Sequence, residues 1–231
     1  MFSAQTFLFA LLGGILPALF WLWFWLREDK KRPEPRGLLL FAFLIGMIAV
    51  PFVLPFQKLS LVYFGSGALT IFLWAAVEEL FKLGGAYYAV LRRKELDEPI
   101  DAVIYMITVA LGFSALENTL FLLDPLLDGN FVSTIITGNL RFLGATLLHT
   151  LASATVGVAI ALSLFKPKWH HWLYTGFGLI LAIVLHALFN FFIIKSDGEG
   201  ALVIFLLVWL GIIALILFFE KIKRIRLNSI Q

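Results

Sequence analysis

Three carboxylates, an ammonium and two imidazoles stand in stretches of this chain that are otherwise almost wholly apolar. Glu78, Glu79 and Lys82 lie in "AAVEELFKLGG" (75–85), Glu117 and Asn118 in "GFSALENTL", His149 in "LLHTLAS", and His186 with Asn190 in "HALFN". Two histidines and a carboxylate make a three-ligand set for a catalytic zinc, with the fourth position left for water. A further glutamate beside that water can act as general base. The His-Glu-x-x-His spacing of soluble zinc hydrolases is absent. The same residues also work without a metal: a buried glutamate takes a proton from water, the second glutamate or Lys82 tunes it, and histidine with Asn190 stabilises the oxyanion. Either way the reaction class is hydrolysis, and the apolar setting points to a substrate that is itself embedded in a membrane.

Spacing supports a common site. Glu78 and Lys82 are four residues apart and Glu79 and Lys82 three, so on a helix the lysine reaches either carboxylate. His186 and Asn190 continue a stripe through Gly178 and Ala182. His149 heads Ser153, Gly157 and Ala161, and Asn118 ends Ala110 and Ser114. Small residues four apart let helix backbones approach closely. Each feature has a plainer reading. The Glu-Glu-Lys group can be an ion pair that fixes helix register, although two acids against one base leave a carboxylate over. A single histidine can be an interhelical hydrogen bond, and Asn118 common helix glue. A charged side chain at a helix centre costs about 2.5–3.5 kcal/mol on insertion scales, so residues of this kind are read first as functional.

The elements that must position them are membrane helices. Of 231 residues, 61% are hydrophobic and 14% charged, where a soluble domain carries about 25% charged residues. Seven segments of spanning length are predicted, at about 4–26, 37–56, 66–91, 101–123, 141–165, 172–194 and 201–219. The fold class is therefore all-α, a polytopic bundle of about seven transmembrane helices. Residues 1–231 form a single membrane domain with a catalytic core at about 66–194, helices three to six. Residues 131–140 read as a short re-entrant or interfacial piece. Trp21, Trp23 and Trp25 read as an interfacial belt. The N-terminal apolar stretch lacks a basic leader and reads as a first helix that stays.

The chain has no cysteine, which excludes disulfides, thiolate catalysis and Cys-ligated zinc. The net charge of +3 gives no reason to expect nucleic acid, because the basic residues are spread through short connections. Arg27, Lys30, Lys31, Arg32 and Arg36, then Arg92, Arg93 and Lys94, then Lys166 and Lys168, and finally Lys221, Lys223, Arg224 and Arg226 fall on one side. Only Lys58, Arg141 and Lys195 fall on the other. This asymmetry predicts a cytoplasmic C-terminus and an N-terminus outside. On that topology Glu117 lies about 9 Å, His149 and His186 about 12 Å and Glu78 about 18 Å from the outer ends of their segments. Four helices thus bring polar residues to similar depth in the outer half of a cell membrane.

These residues resemble the PrsW-type intramembrane protease family. "EELFK" (78–82) is similar to its EExxK motif, and "DEPIDAVIYMITVALGFSALEN" (97–118) to the following stretch, ending in FxxxEN. His149 after Arg141, and "HALFN" (186–190, HxxxN), are similar to its last two motifs. The likeness covers about residues 75–192, in order. The resemblance places the chain near the CAAX prenyl endopeptidases and bacteriocin self-immunity proteins. It implies a polytopic membrane endopeptidase, generally metallo-dependent, that cuts a membrane-anchored protein such as an anti-sigma factor near the outer face. Carried over, Glu78 and Glu79 are the catalytic pair, with Lys82 beside them. His149 and His186 bind zinc or stabilise the oxyanion, with Glu117 as third ligand and Asn118 and Asn190 in support. The competing classes are a proton- or ion-coupled transporter, an inactive immunity or scaffold protein, and a haem protein ligated by His149 and His186. A transporter commonly shows inverted repeats and broken helices, and the only such hint is Gly84–Gly85. A haem needs no acids around it.

Overall fold

The computed structural model describes residues 4–30, 32–196 and 200–228. Lys31, Asp197, Gly198, Glu199 and the side chain of Arg226 lie outside the described residues. Regular structure among the described residues is entirely helical, as it must be in lipid, where a backbone amide left unpaired finds no water. The helices are α1 (Ala4–Leu26), α2 (Arg36–Phe64), α3 (Ala68–Ala86), α4 (Pro99–Leu127), α5 (Phe131–Leu140), α6 (Thr146–Ser163), α7 (Lys168–Lys195) and α8 (Ala201–Asn228). A π-helical turn, Tyr87–Leu91, extends α3, and a second, Arg141–Ala145, joins α5 to α6. The eight helices therefore make seven rods.

Six of those rods are long and apolar enough to cross a membrane. The seventh is α3, whose apolar run is interrupted by Glu78, Glu79 and Lys82. The chain is a multi-pass membrane protein, and its seven rods match the seven predicted segments. The largest boundary differences are extensions. Segment two, expected to end at residue 56, runs on to Phe64, and residues 131–140 continue straight into α6 as one helical stretch, Phe131–Ser163. Two prolines, Pro51 and Pro55, are tolerated inside α2.

Helix α4 is the axis of the bundle. It packs against α1, α2 and α6, and every residue from Pro99 to Ala115 is buried. A helix apolar around its whole circumference can be enclosed on all sides in this way. Its start is pinned by Asp101, whose Oδ2 accepts hydrogen bonds from the backbone amides of Asp97 (3.1 Å) and Glu98 (2.6 Å). The predicted small-residue stripes are its contacts. A Cβ on Gly157 would stand 2.7 Å from Val103 Cα, so α6 touches the α4 backbone there. Gly178 likewise lets α7 reach α6 at Ala159. The tryptophans divide by face: Trp21 and Trp25, four apart, are buried, Trp25 stacking on Phe219, while only Trp23 points outward. The outward faces of α1, α2, α7 and α8 carry exposed Phe, Leu, Ile and Trp, as a lipid-facing surface requires.

Candidate active site

The polar residues of α3, α4, α6 and α7 meet. Glu78, Glu79, Lys82, His149 and His186 are each at most 3% exposed. Lys82 Nζ lies 2.8 Å from Glu79 Oε1 and 3.6 Å from Glu78 Oε2, so it does pair with both carboxylates of its own helix. It also lies 2.7 Å from His149 Nδ1 and 4.4 Å from the centre of the Phe113 ring. Glu79 accepts from Ser153 Oγ at 3.0 Å and faces His186 Nδ1 at 2.8 Å. Glu78 Oε2 lies 3.6 Å from His186 Nε2 and 3.9 Å from His149 Nδ1. The two imidazoles meet edge to face, with centroids 4.9 Å apart.

Hydrogen-bond logic assigns the ring protons. An ammonium only donates, so His149 Nδ1 accepts from Lys82, and Nε2–H then donates to Glu117 Oε2 at 2.9 Å. His186 Nδ1–H donates to Glu79, which leaves Nε2 with its lone pair facing Glu78. Glu117 also pairs with the Arg141 guanidinium, whose Nε donates to Asn118 Oδ1 at 2.5 Å. Asn118 Nδ2 donates in turn to Thr146 Oγ1 at 3.0 Å. With neutral imidazoles, three carboxylates stand against two bases, and one negative charge is in surplus. Apart from the 3.6 Å contact with Lys82, Glu78 Oε2 is buried with no hydrogen-bond partner among the described residues.

A metal ion fits that arrangement. Glu78, His149 and His186 each offer one ligand atom, and all three atoms lie within 4.8 Å of one another. The Glu78 oxygen that lacks a hydrogen bond, the lone pair of His186 Nε2 and the surplus charge converge on one place. The carboxylate behind His186 Nδ1 is the usual outer partner of a metal-bound imidazole. Lys82 would have to release His149 Nδ1 for the set to close.

Every residue singled out in the sequence is at this place except Asn190. It lies one turn beyond His186 on α7 and lines the same cavity of about 690 Å³. Glu78, Glu117, Arg141, His149 and His186 also face this cavity. The expected grouping of Glu117 with both histidines is not what the distances give: Glu117 touches His149, and Glu78 is the carboxylate that faces both rings. Two participants were not anticipated. Gln57 of α2 donates from Nε2 to Glu78 Oε1 at 2.8 Å, and its own carbonyl accepts from Trp74 Nε1 at 3.0 Å. Arg141, counted among the outer-side charges and noted before His149 in the family resemblance but given no role, is the base that neutralises Glu117. An amide side chain directly after an apolar run was the available signal for Gln57.

A multi-pass helix bundle with carboxylates and histidines gathered on one cavity suits an intramembrane hydrolase. The comparison with known proteins makes the class specific. A family model described as PrsW family intramembrane metalloprotease matches residues 34–218, and the chain belongs to that family. It is thus an enzyme, a protease of the membrane. It is similar to Protease PrsW of Geobacillus kaustophilus, 29% identical over 218 residues that cover 93% of this chain and 89% of that protein. It is also similar to Protease PrsW of Halalkalibacterium halodurans, 28% identical over 196 residues covering 82% of this chain and 83% of that protein. Protease PrsW of Bacillus subtilis is 23% identical over 188 residues, covering 80% of this chain and 83% of that protein. No solved structure matches the chain.

Proposed function

We propose that the enzyme hydrolyses a peptide bond of a membrane-anchored protein at a centre formed by Glu78, His149 and His186, which hold a zinc ion. The observation that carries this reading is Glu78 Oε2, which faces both imidazoles and has no hydrogen-bond partner among the described residues. A donor set of two nitrogens and one carboxylate suits zinc. When bound, the metal supplies a Lewis acid and a water of lowered pKa.

The side chains divide the remaining work. Glu79, wholly enclosed, holds His186 and Lys82 in place. Gln57 fixes Glu78 by its other oxygen. Glu117 accepts from Arg141 and His149 with one oxygen only. Its second oxygen takes the proton of the attacking water and returns it to the leaving amine. Arg141 and Asn190 line the cavity as donors for the tetrahedral oxyanion. Glu78 is thereby a ligand and Glu117 the base, the reverse of the roles that the motifs alone suggest.

The catalytic core is residues 66–194 together with Gln57. The basic residues orient the N-terminus outside and the C-terminus in the cytoplasm of a cell-membrane protein. The cavity, lined by Gln57, Asp124, Arg141 and Ser196, then opens toward the outer face. A substrate of the anti-sigma-factor kind, cut near that face, fits this placement.

Elemental analysis of the purified protein tests the assignment. About one zinc per chain is expected, lost in Glu78→Gln and in His149→Ala/His186→Ala. Glu117→Gln should keep the metal and lose turnover by a factor of about 100 or more. Metal retained in Glu78→Gln and lost in Glu117→Gln would reverse the two roles. No metal in a preparation that cleaves would refute the zinc centre.

A further inference from the structure

A second group of acids lies at the other end of α4, where the reaction has no use for it. Asp29 follows α1, Glu34 precedes α2, and Asp101 is in the first turn of α4. Asp101 and Glu117 are sixteen residues apart on one helix, so the two groups are separated by about 24 Å. All three carboxylates are buried, Asp29 with 5% exposure, Glu34 with 8% and Asp101 with 1%. One oxygen from each lies within 4.8 Å of one from each of the others.

Local hydrogen bonds use only part of this group. Asp101 Oδ2 caps the start of α4, and Tyr105 donates its hydroxyl to Glu34 Oε2. Asp29 Oδ2 and Asp101 Oδ1 are buried with no hydrogen-bond partner among the described residues. Neighbouring bases are engaged elsewhere. Lys223 binds Glu28 and Glu220 at 2.8 Å each, and Arg32 binds Glu98 at 3.3 Å. Among the described residues no basic side chain forms an ion pair with Asp29, Glu34 or Asp101. Three buried carboxylates, two of them with an orphaned oxygen and none ion-paired to a base among the described residues, need a proton or a cation.

We infer that Asp29, Glu34 and Asp101 form a binding site for a hard divalent cation, calcium or magnesium, which ties the α1–α2 connection to the start of the central helix. The donors are all oxygen, without the nitrogen that marks the centre at Glu78, and three carboxylates can supply up to six ligand atoms. The ion is structural: it neutralises the group and joins two connections that are far apart in sequence. The alternative neutraliser is protons shared among the three carboxyls.

The test uses the full-length protein in detergent, stripped with EDTA at mildly alkaline pH. Calcium or magnesium at millimolar concentration should raise the melting temperature by several degrees, and titration calorimetry should find one site. Asp29→Asn/Asp101→Asn should melt higher than wild type in EDTA and lose the response to cations. Should that double variant fail to fold, Asp29→Asn and Glu34→Gln serve singly, each weakening the binding at least tenfold. The response should persist in His149→Ala/His186→Ala, which dismantles the other carboxylate group. Identical melting of the wild type in EDTA and in either cation would overturn the proposal and leave shared protons as the neutraliser. Equal binding by wild type and Asp29→Asn would overturn it as well.

Discussion

At the scale of single residues, the site depends on groups that hold other groups. Gln57 hydrogen-bonds to Glu78 rather than to either histidine; it fixes one oxygen of Glu78 and so sets where the other points. A hydrogen bond to a charged group contributes about 1.5–3 kcal/mol. Gln57→Leu is therefore expected to lower kcat by about tenfold to a hundredfold while the protein stays folded, as a cleavage assay beside a melting curve would show. Asp29 gives a prediction in pH. Burial first, and then the neighbouring Glu34 carboxylate, push its pKa up to about 7. Asp97 adds to the rise and Lys223 opposes it, while Asp101 completes the acidic group. A raised pKa means that the folded protein holds the proton more tightly than the unfolded chain. Its stabilising effect is full below about pH 4 and is lost as pH rises through about 7. Melting temperatures in EDTA should thus fall more steeply across that window for wild type than for Asp29→Asn. Parallel curves would mean that Asp29 ionises as freely in the fold as in the unfolded chain. The members of the buried polar group were legible in the sequence because an ionisable side chain stands out against an apolar run. Their partners were not. Depth counted along a helix carries an error of several ångströms, and that error is larger than the distances that decide whether Glu78 or Glu117 faces both rings.

At the scale of elements, packing faces were legible and ends were not. The stripes through Gly157 and Gly178 mark where α6 meets α4 and α7, because backbone can approach backbone only where side chains are absent. Gly157→Val should push α6 off Val103 and Ala102 and displace His149, two turns away on the same helix. The expected result is a melting temperature lower by several degrees and loss of cleavage, with about 1–3 kcal/mol of strain. Normal melting and turnover would show that the two backbones can part without consequence. Helix ends were misjudged wherever polar residues continue a helix past the apolar run, as at Gln57 and Lys58 in α2. Residues 131–140 were ambiguous for a related reason. They are uncharged and short, and only the three-dimensional continuity with α6 defines them.

At the scale of the whole molecule, composition alone gave a membrane bundle and the count of its rods, since lipid allows few other solutions. Its orientation is open to direct measurement. The protein has no cysteine, so single cysteines can be introduced without background. A cysteine at Lys195 should react with an impermeant maleimide in intact cells, and one at Lys168 only after lysis. The opposite pattern would invert the topology and move the cavity to the cytoplasmic face. The stretch Phe131–Ser163 carries a consequence of its own. Thirty-three helical residues extend about 50 Å, whereas a bilayer's hydrocarbon layer is about 30 Å thick. The first ten of them, α5, bury nothing and carry exposed Phe131, Val132, Ile135 and Ile136. Such a rod must lean, project beyond the acyl chains, or draw lipid up around itself. Arg141 lies where α5 gives way to the buried part of the rod and lines the cavity that holds Glu78, His149 and His186, so the lipid distorted by this mismatch is the lipid next to that cavity. A scissile peptide bond arriving there meets a membrane already reshaped by the enzyme.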